Sequence, residues 1–316
     1  MIARRLYYAI KPYMGWRLRL VLRQILATLT LRRSRRIWPI LESSGAQPEG
    51  WEGWPEGRRF AFVLTHDVEG PLGVERIKQL ASIEMELGFR SSFNLVPEGE
   101  YRTTKALRDW LAKEGFEVGV HDLHHDGSLF RSRDDFNRQA PRIKAYLREW
   151  QASGFRAGFM FHNLDWMREL EIEYDASTFD TDPFEPQPDG AGTIFPFWIP
   201  PENGKRGYVE LPYTLVQDST LFLLLREKTS EIWKRKLDWI ADRGGMALVN
   251  VHPDYIAFDG QSPSAREFPL ARYVELLDYV KYRYAGAYWN VVARDLASWF
   301  RSQKQLAVTV NGSAGN

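Results

Sequence analysis

From residue 60 onward, short apolar segments typical of β-strands alternate with longer amphipathic segments typical of α-helices. Predicted strands lie at residues 60–65, 90–96, 116–120, 155–160, 171–178, 208–216, 246–251 and 287–292. Predicted helices lie at 75–88, 103–115, 132–154, 163–170, 229–245, 270–284 and 293–302, with Pro141 marking a break or a second start. This alternation predicts an α/β fold with a mainly parallel sheet covered by helices. A β/α barrel suits it better than an open doubly wound sheet, because no G-x-G-x-x-G motif follows the first strand.

All the histidines of the chain lie just beyond the carboxyl end of a predicted strand. They are His66, His121, His124, His125, His162 and His252. In a β/α barrel these strand ends meet on one face, which is the face that carries active sites. A single histidine at such a position is more often structural, but all six together indicate a functional cluster on this face.

The densest group is the segment HDLHHDG at residues 121–127. His121 and His125 are spaced i, i+4, which places two imidazoles on one face if the segment forms a helical turn; His121 with His124 is the alternative pair. Two imidazoles and one carboxylate form a recurring ligand set for a hydrolytic zinc. The carboxylate has to come from another strand end, where THDVE at residues 65–69 offers Asp67 and Glu69. One acid can bind the metal while the other accepts a proton from water.

Taken in order, these motifs resemble those of the polysaccharide deacetylases, the NodB-like enzymes of carbohydrate esterase family 4. The similar segments are THDVE (65–69), SSFN (91–94), HDLHH (121–125), GFRAGF (154–159) and LVNVHP (248–253). The resemblance covers residues 60 to about 253. It implies a distorted (β/α)7-type barrel and a metal-dependent hydrolase that removes N-acetyl groups from chitin-type or peptidoglycan-type sugars.

The resemblance also implies a role for each matching residue. Asp67 corresponds to the general base, Arg156 to the residue that holds the base carboxylate, and His252 to the general acid. The metal ligands correspond to Glu69, His121 and His125, with Zn2+ as the expected ion. The partner of His252 stays open among Asp175, Asp180 and Asp182. Asp218, which also follows a predicted strand, either reaches the site or caps a helix.

Three positions depart from the family pattern. Asp67-x-Glu69 replaces the usual adjacent pair of aspartates, and Asp122 follows His121 where the family has Ser or Thr. The segment RAGF, which begins at Arg156, replaces the commoner Arg-Pro-Pro-Tyr.

The charge of the chain is concentrated in its first forty residues. Residues 1–40 contain ten Arg and Lys residues and no Asp or Glu, while the whole chain has a net charge of only +1, so the rest carries −9. We expect four segments: a basic helical arm (1–41), a linker (42–59), the barrel (60–303) and a flexible tail (304–316). The arm either packs on the acidic body or makes a peripheral membrane contact, since tyrosines and Trp16 lie among its arginines.

The remaining expectations concern class, partners and location. The absence of cysteine excludes disulfides, thiolate metal sites and a cysteine nucleophile. We expect a carbohydrate substrate, no nucleic-acid partner, and a cytoplasmic location that extends to the inner face of the membrane. Alternative functions are hydrolysis of a non-sugar amide on the same fold, a non-catalytic glycan-binding relative, and an adaptor that uses the basic arm.

Overall fold

The computed structural model describes the backbone of residues 16–187, 189–258, 260 and 262–313 and, within these ranges, the side chains of residues 24–303. Residues 1–15 of the predicted basic arm and residues 314–316 of the predicted tail lie outside the described residues. Within the described part of the chain, no helix combines the length and the apolarity that crossing a bilayer requires.

The described chain contains helices, strands and short turns in alternation. The helices are α1 (Trp16–Arg33), α2 (Pro71–Leu87), α3 (Lys105–Lys113), α4 (Arg133–Trp150), α5 (Leu164–Met167), α6 (Glu231–Arg243), α7 (Ala271–Arg283) and α8 (Ala293–Ser313). The strands are β1 (Phe60–Val68), β2 (Ser91–Leu95), β3 (Glu117–His121), β4 (Gly154–Arg156), β5 (Tyr174–Asp175), β6 (Phe197–Ile199), β7 (Tyr208–Glu210), β8 (Met246–Asn250), β9 (Ile256–Ala257), β10 (Phe268–Pro269) and β11 (Tyr288–Asn290).

Strand β1 lies at the centre of a parallel sheet and has neighbours along both edges. Residues 64–68 pair with β2 on one edge, and residues 61–65 pair with β8 on the other. From β2 the parallel pairing continues through β3, β4, β5 and β7. Beyond β7 the chain meets β8 through a parallel bridge between Leu215 and Val249, which closes the barrel. The predicted α/β fold, a distorted (β/α)7-type barrel, is confirmed.

Several elements differ in extent from the prediction. Helix α4 continues through Pro141, so the predicted break is wrong. Pro141 lies on the exposed side of the helix, where water can bind the carbonyl group that proline leaves without a partner. The predicted strand at 155–160 ends at Arg156, because Phe159 and Met160 have φ angles of 56° and 54°, which a strand does not accept. Helix α8 continues to Ser313, into the segment predicted as a tail.

Tryptophans from segment 42–59 close the amino-terminal end of the barrel. Trp54 is only 5% exposed and donates its indole N–H to the carbonyl of Gly244, which precedes β8, over 2.8 Å. Its ring lies 4.8 Å from that of Trp51, 6.1 Å from Trp289 and 5.3 Å from Trp299. The segment predicted as a linker is therefore packed against the barrel, and the open end is the one where the strands finish.

The Trp54→Ala variant tests whether this segment belongs to the folded body. Removing a buried indole with a hydrogen bond is expected to lower the free energy of unfolding by about 3–5 kcal/mol, measured by urea denaturation. Tyr282→Ala is the matched control, because Tyr282 is 75% exposed and its loss is expected to change stability by less than about 0.5 kcal/mol. Equal unfolding midpoints for the two variants would contradict the packing role.

Candidate active site

A cavity of about 520 Å³ opens where the barrel strands end. The predicted site residues that line it are Asp67, Glu69, His121, His125 and His252. They reach the cavity from the ends of β1, β3 and β8, three strands that are distant in sequence. Their convergence follows from parallel pairing, which brings the carboxyl ends of the strands to one face.

Asp67 is the most deeply placed carboxylate of the cavity, and amide groups from both neighbouring strands hold it. Asn94 is its register partner on β2 and donates from Nδ2 to Asp67 Oδ1 over 2.9 Å. Asn250, at the end of β8, donates from Nδ2 to Asp67 Oδ2 over 2.7 Å. Neither asparagine is among the site residues predicted from the sequence, although the segments SSFN and LVNVHP contain them.

Arg156 approaches Asp67 from beneath the cavity. It lies opposite His121 in the pairing of β3 with β4, and its side chain is fully buried. Its Nε lies 3.6 Å from Asp67 Oδ1, and its Nη2 donates to Thr65 Oγ1 over 3.2 Å. Burial raises the pKa of the Asp67 carboxyl, but the positive charge of Arg156, with the charge of His252 and the hydrogen bond from Asn94, outweighs burial and holds this pKa well below its usual range. Asp67 is therefore ionised.

Glu69, His121 and His125 form a candidate metal centre, since one potential ligand atom from each lies within 4.8 Å of the others. His125 Nε2 is 3.2 Å from Glu69 Oε1. His121 Nδ1 bonds to the carbonyl of Arg156 over 3.0 Å, whereas its buried Nε2 has no hydrogen-bond partner. With the proton on Nδ1, the Nε2 lone pair faces the other two ligands. This orphaned nitrogen fits a metal ligand whose orientation the backbone fixes.

The protonation of His121 also suits metal binding. Burial lowers the pKa of His121 to about 4, and the nearby carboxylate of Asp67 only partly opposes this effect. The imidazole is therefore neutral near pH 7, which is the form that binds a metal.

The two histidines meet on a loop and not on the helical turn expected from their spacing, so that expectation is wrong. Asp122 and His125 have φ angles of 56° and 54°, in the left-handed region. These two residues fold the chain back so that the ring centroids of His121 and His125 lie 4.8 Å apart. The alternative ligand His124 is directed elsewhere, with Nδ1 bonded to the carbonyl of Glu98 over 3.2 Å.

Glu69 is fixed by two residues that follow His252 in the segment HPDY. The hydroxyl of Tyr255 donates to Glu69 Oε2, and the backbone N–H of Glu69 donates to Asp254 Oδ2 over 2.9 Å. Burial raises the pKa of Glu69, but its hydrogen bond with His125 and the charge of His252 lower it to about 2. With Oε2 held by Tyr255, Oε1 faces the histidines.

The partner of His252 is Asp218. His252 Nδ1 lies 2.6 Å from Asp218 Oδ1, and the backbone N–H of His252 donates to Oδ2 over 2.8 Å. Burial alone would lower the pKa of His252. The adjacent Asp218 carboxylate has the larger opposite effect and raises this pKa to about 10. The imidazole is therefore protonated near pH 7. Its Nε2 points toward the cavity, 3.7 Å from Glu69 Oε1.

The three candidate partners named from the sequence are directed to other groups. Asp175 accepts hydrogen bonds from Ser177, and Asp180 pairs with Lys236 over 2.8 Å. Asp182 accepts from the Tyr213 hydroxyl and from the backbone. The prediction that one of these three holds His252 is wrong. The sequence did indicate Asp218, because this residue also follows a predicted strand. That position could not distinguish a residue of the site from a helix cap.

The remaining histidines lie outside the cavity. His66 is fully buried, with Nδ1 bonded to the carbonyl of Val251 over 2.9 Å and Nε2 to Glu84 Oε1 over 2.7 Å. His162 Nδ1 bonds to the carbonyl of Met160 over 3.0 Å. Half of the histidines at the strand ends are thus structural.

Aromatic rings form part of the cavity wall. Phe159 stacks on His125 with ring centroids 4.7 Å apart, and Phe184 comes from the Pro-rich segment 183–207. The rest of that segment contributes β6 and the buried Phe195 to the body of the protein. The segment therefore both lines the cavity and packs beside the barrel.

In sequence comparison, no family model and no curated protein matches the chain. Among solved structures, it is similar to a presumed polysaccharide deacetylase from Mycobacterium smegmatis, with a TM-score of 0.60, 19% identity, and coverage of 82% of this chain and 96% of that chain. It also matches the chitin deacetylase of Colletotrichum lindemuthianum, with a TM-score of 0.45, 15% identity, and coverage of 76% and 88%. The first similarity shows that the chain has the fold of a polysaccharide deacetylase structure, as its motifs predict.

The His125→Ala variant tests the candidate metal centre. Loss of one imidazole ligand is expected to reduce zinc affinity at least about 100-fold, measured by calorimetric titration of the metal-free protein. His124→Ala is the matched control, since this neighbour bonds to a carbonyl outside the triad and its loss leaves affinity unchanged. Undiminished zinc binding by His125→Ala would exclude this ligand set.

Proposed function

We propose that this protein is a metal-dependent hydrolase that removes N-acetyl groups from an amino-sugar-containing glycan or its precursor. The observation that carries the proposal is the arrangement of five side chains in one cavity. The triad of Glu69, His121 and His125 lies between a buried carboxylate, Asp67, and a carboxylate-paired histidine, His252. Amide hydrolysis needs these parts: a base for water, an electrophilic centre and an acid for the leaving amine.

The donor set of the triad favours zinc among the divalent ions. Two imidazole nitrogens and one carboxylate oxygen are the protein ligands of a common class of hydrolytic zinc sites. A zinc ion held by these residues would polarise the acyl carbonyl and lower the pKa of water to about 7. The three residues supply the ligands, while Tyr255 and the Arg156 carbonyl orient them.

Asp67 is assigned as the general base. Its Oδ2 lies 4.0 Å from His121 Nε2, beside the triad and within reach of a water molecule there. Arg156 keeps the carboxylate ionised, and the amides of Asn94 and Asn250 fix its plane. An ionised, oriented carboxylate can accept a proton from the attacking water.

His252 is assigned as the general acid. It lies on the Glu69 side of the triad, whereas Asp67 lies on the His121 side. Asp218 holds Nδ1–H, so the proton on Nε2 faces the cavity and can pass to the departing amine. The pairing with Asp218 keeps the imidazole charged until that transfer.

The carbohydrate substrate is supported by the cavity wall and by the fold. Phe159 and Phe184 offer ring faces on which sugars pack, and the similar Mycobacterium smegmatis structure is described as a presumed polysaccharide deacetylase. The basic segment 1–40 suits the anionic cytoplasmic leaflet, so we place the reaction at that face, in the synthesis of a surface polysaccharide.

Acetate release from N-acetylated sugar nucleotides and oligosaccharides, compared with plain amides, tests the substrate class. Hydrolysis of plain amides alone would contradict it.

The Asp67→Asn variant tests the base. It keeps the shape of the side chain but cannot accept a proton, so the rate of acetate release is expected to fall by about 100- to 10,000-fold. Zinc content, measured on the same preparation, is expected to stay unchanged because Asp67 is not a ligand. Undiminished hydrolysis at normal zinc content would refute the assignment.

The Asp218→Asn variant tests the acid. Without the carboxylate, His252 loses its stabilised charge, and kcat is expected to fall by at least about 100-fold. Asp175→Asn is the matched control, since Asp175 is also a buried aspartate near a strand end but bonds to Ser177. An equal loss of kcat in both variants would show that Asp218 has no specific role.

A further inference from the structure

Segment 24–38 comprises the second half of α1 and the turn that follows it, and it contacts the wall of the candidate active site near both of its ends. At one end, Gln24 Nε2 donates to the carbonyl of Leu223 over 3.4 Å, and Leu223 lines the cavity. At the other end, the ring of Trp38 lies 5.3 Å from that of Phe184, another lining residue. The segment therefore runs beside the mouth of the cavity.

The outward surface of this segment is apolar. Its inward side is fixed by Ala27 and Trp38, which are 4% and 5% exposed. Facing solvent are Ile25 at 53%, Leu26 at 54% and Leu29 at 43% exposure, followed by Ile37 at 42%. Single exposed apolar residues are ordinary, but four large ones within one short segment indicate an interaction surface.

The same segment also exposes a group of basic side chains. Arg32, Arg33, Arg35 and Arg36 are exposed, and within the described part of the chain none of them forms a salt bridge. They continue the acid-free sequence of residues 1–40, which carries ten positive charges. Exposed apolar side chains beside unpaired arginines match the interfacial region of an anionic bilayer, where the apolar groups insert and the guanidinium groups meet phosphates.

A second exposed apolar group, Phe159, belongs to the cavity wall itself. Phe159 is 46% exposed and stacks on the candidate ligand His125. Exposed apolar side chains thus lie both on segment 24–38, which contacts the cavity wall, and beside the candidate metal centre.

We propose that segment 24–38 docks the mouth of the cavity onto an anionic membrane surface. The inference rests on the proposed function for its second part: the N-acetylated sugar that enters the cavity is attached to a membrane lipid. Docking places a lipid-linked sugar next to Glu69, His121 and His125, whereas a soluble sugar gains nothing from it.

Vesicle flotation of the full-length protein tests the docking. The wild-type protein is expected to bind vesicles of phosphatidylcholine with phosphatidylglycerol, to bind vesicles of phosphatidylcholine alone at least about tenfold more weakly, and to be released by salt. The double variant Leu26→Glu, Leu29→Glu is expected to lose at least about tenfold in binding to the anionic vesicles. Tyr282→Glu is the control, because Tyr282 is also a large exposed side chain but lies on α7, outside segment 24–38. This variant is expected to bind the vesicles like the wild type.

Failure of the docking and failure of the proposed function give different results. Wild-type protein that does not bind anionic vesicles, or a double variant that binds them as well as the wild type does, overturns the docking whatever the activity. The double variant Arg32→Gln, Arg33→Gln keeps the apolar side chains. It is expected to bind the anionic vesicles more weakly and to show a smaller loss of binding when salt is added. Unchanged binding by this variant would also count against the proposal. Vesicle binding without acetate release from any sugar overturns the proposed function and leaves the docking intact.

Turnover then tests the substrate class. The Leu26→Glu, Leu29→Glu variant is expected to hydrolyse a soluble N-acetylated oligosaccharide at the wild-type rate and a lipid-linked N-acetylated sugar in anionic vesicles at least about tenfold more slowly. Equal rates for wild type and variant on the lipid-linked sugar would overturn the role of the surface in substrate delivery.

Discussion

Strand β1 is held by parallel neighbours along both edges, and the register of these pairings determines which side chains meet at its end. Asp67 lies opposite Asn94 on β2, and Thr65 lies opposite Asn250 on β8. Because side chains alternate along a strand, a shift of one residue in either pairing would turn these amides away from Asp67. The hydrogen bonds that hold the Asp67 carboxylate therefore depend on this register.

Charge burial is the energetic cost of the arrangement, and the surrounding groups offset it. A buried carboxylate without partners would take up a proton instead of staying ionised. Asp67 stays ionised because a fully buried guanidinium and two amides surround it. His252 stays charged because of Asp218. Opposite protonation states are thus maintained on the two sides of the Glu69, His121 and His125 triad, as acid–base catalysis requires.

The sequence predicted the barrel and the convergence of His121, His125 and His252, because both follow from local patterns, namely alternating strands and helices and polar residues at strand ends; the other three histidines, which share that pattern, do not reach the cavity. It could not predict features that depend on tertiary placement. Asp218 reaches His252 only because residues near 215 lie against β8, which no local pattern encodes. The loop that joins His121 to His125 depends on left-handed residues that the i, i+4 spacing does not reveal. Pro141 remained helical because its exposed position tolerates the missing hydrogen bond.

We propose that Glu69, His121 and His125 bind one cation between Asp67 and His252. X-ray absorption spectroscopy at the zinc edge of the zinc-loaded, full-length protein measures the ligand shell of that cation. We expect a shell with two imidazole nitrogens and one carboxylate oxygen, at about 2.0–2.2 Å from the metal. A shell with only oxygen ligands, or with one imidazole, would contradict it.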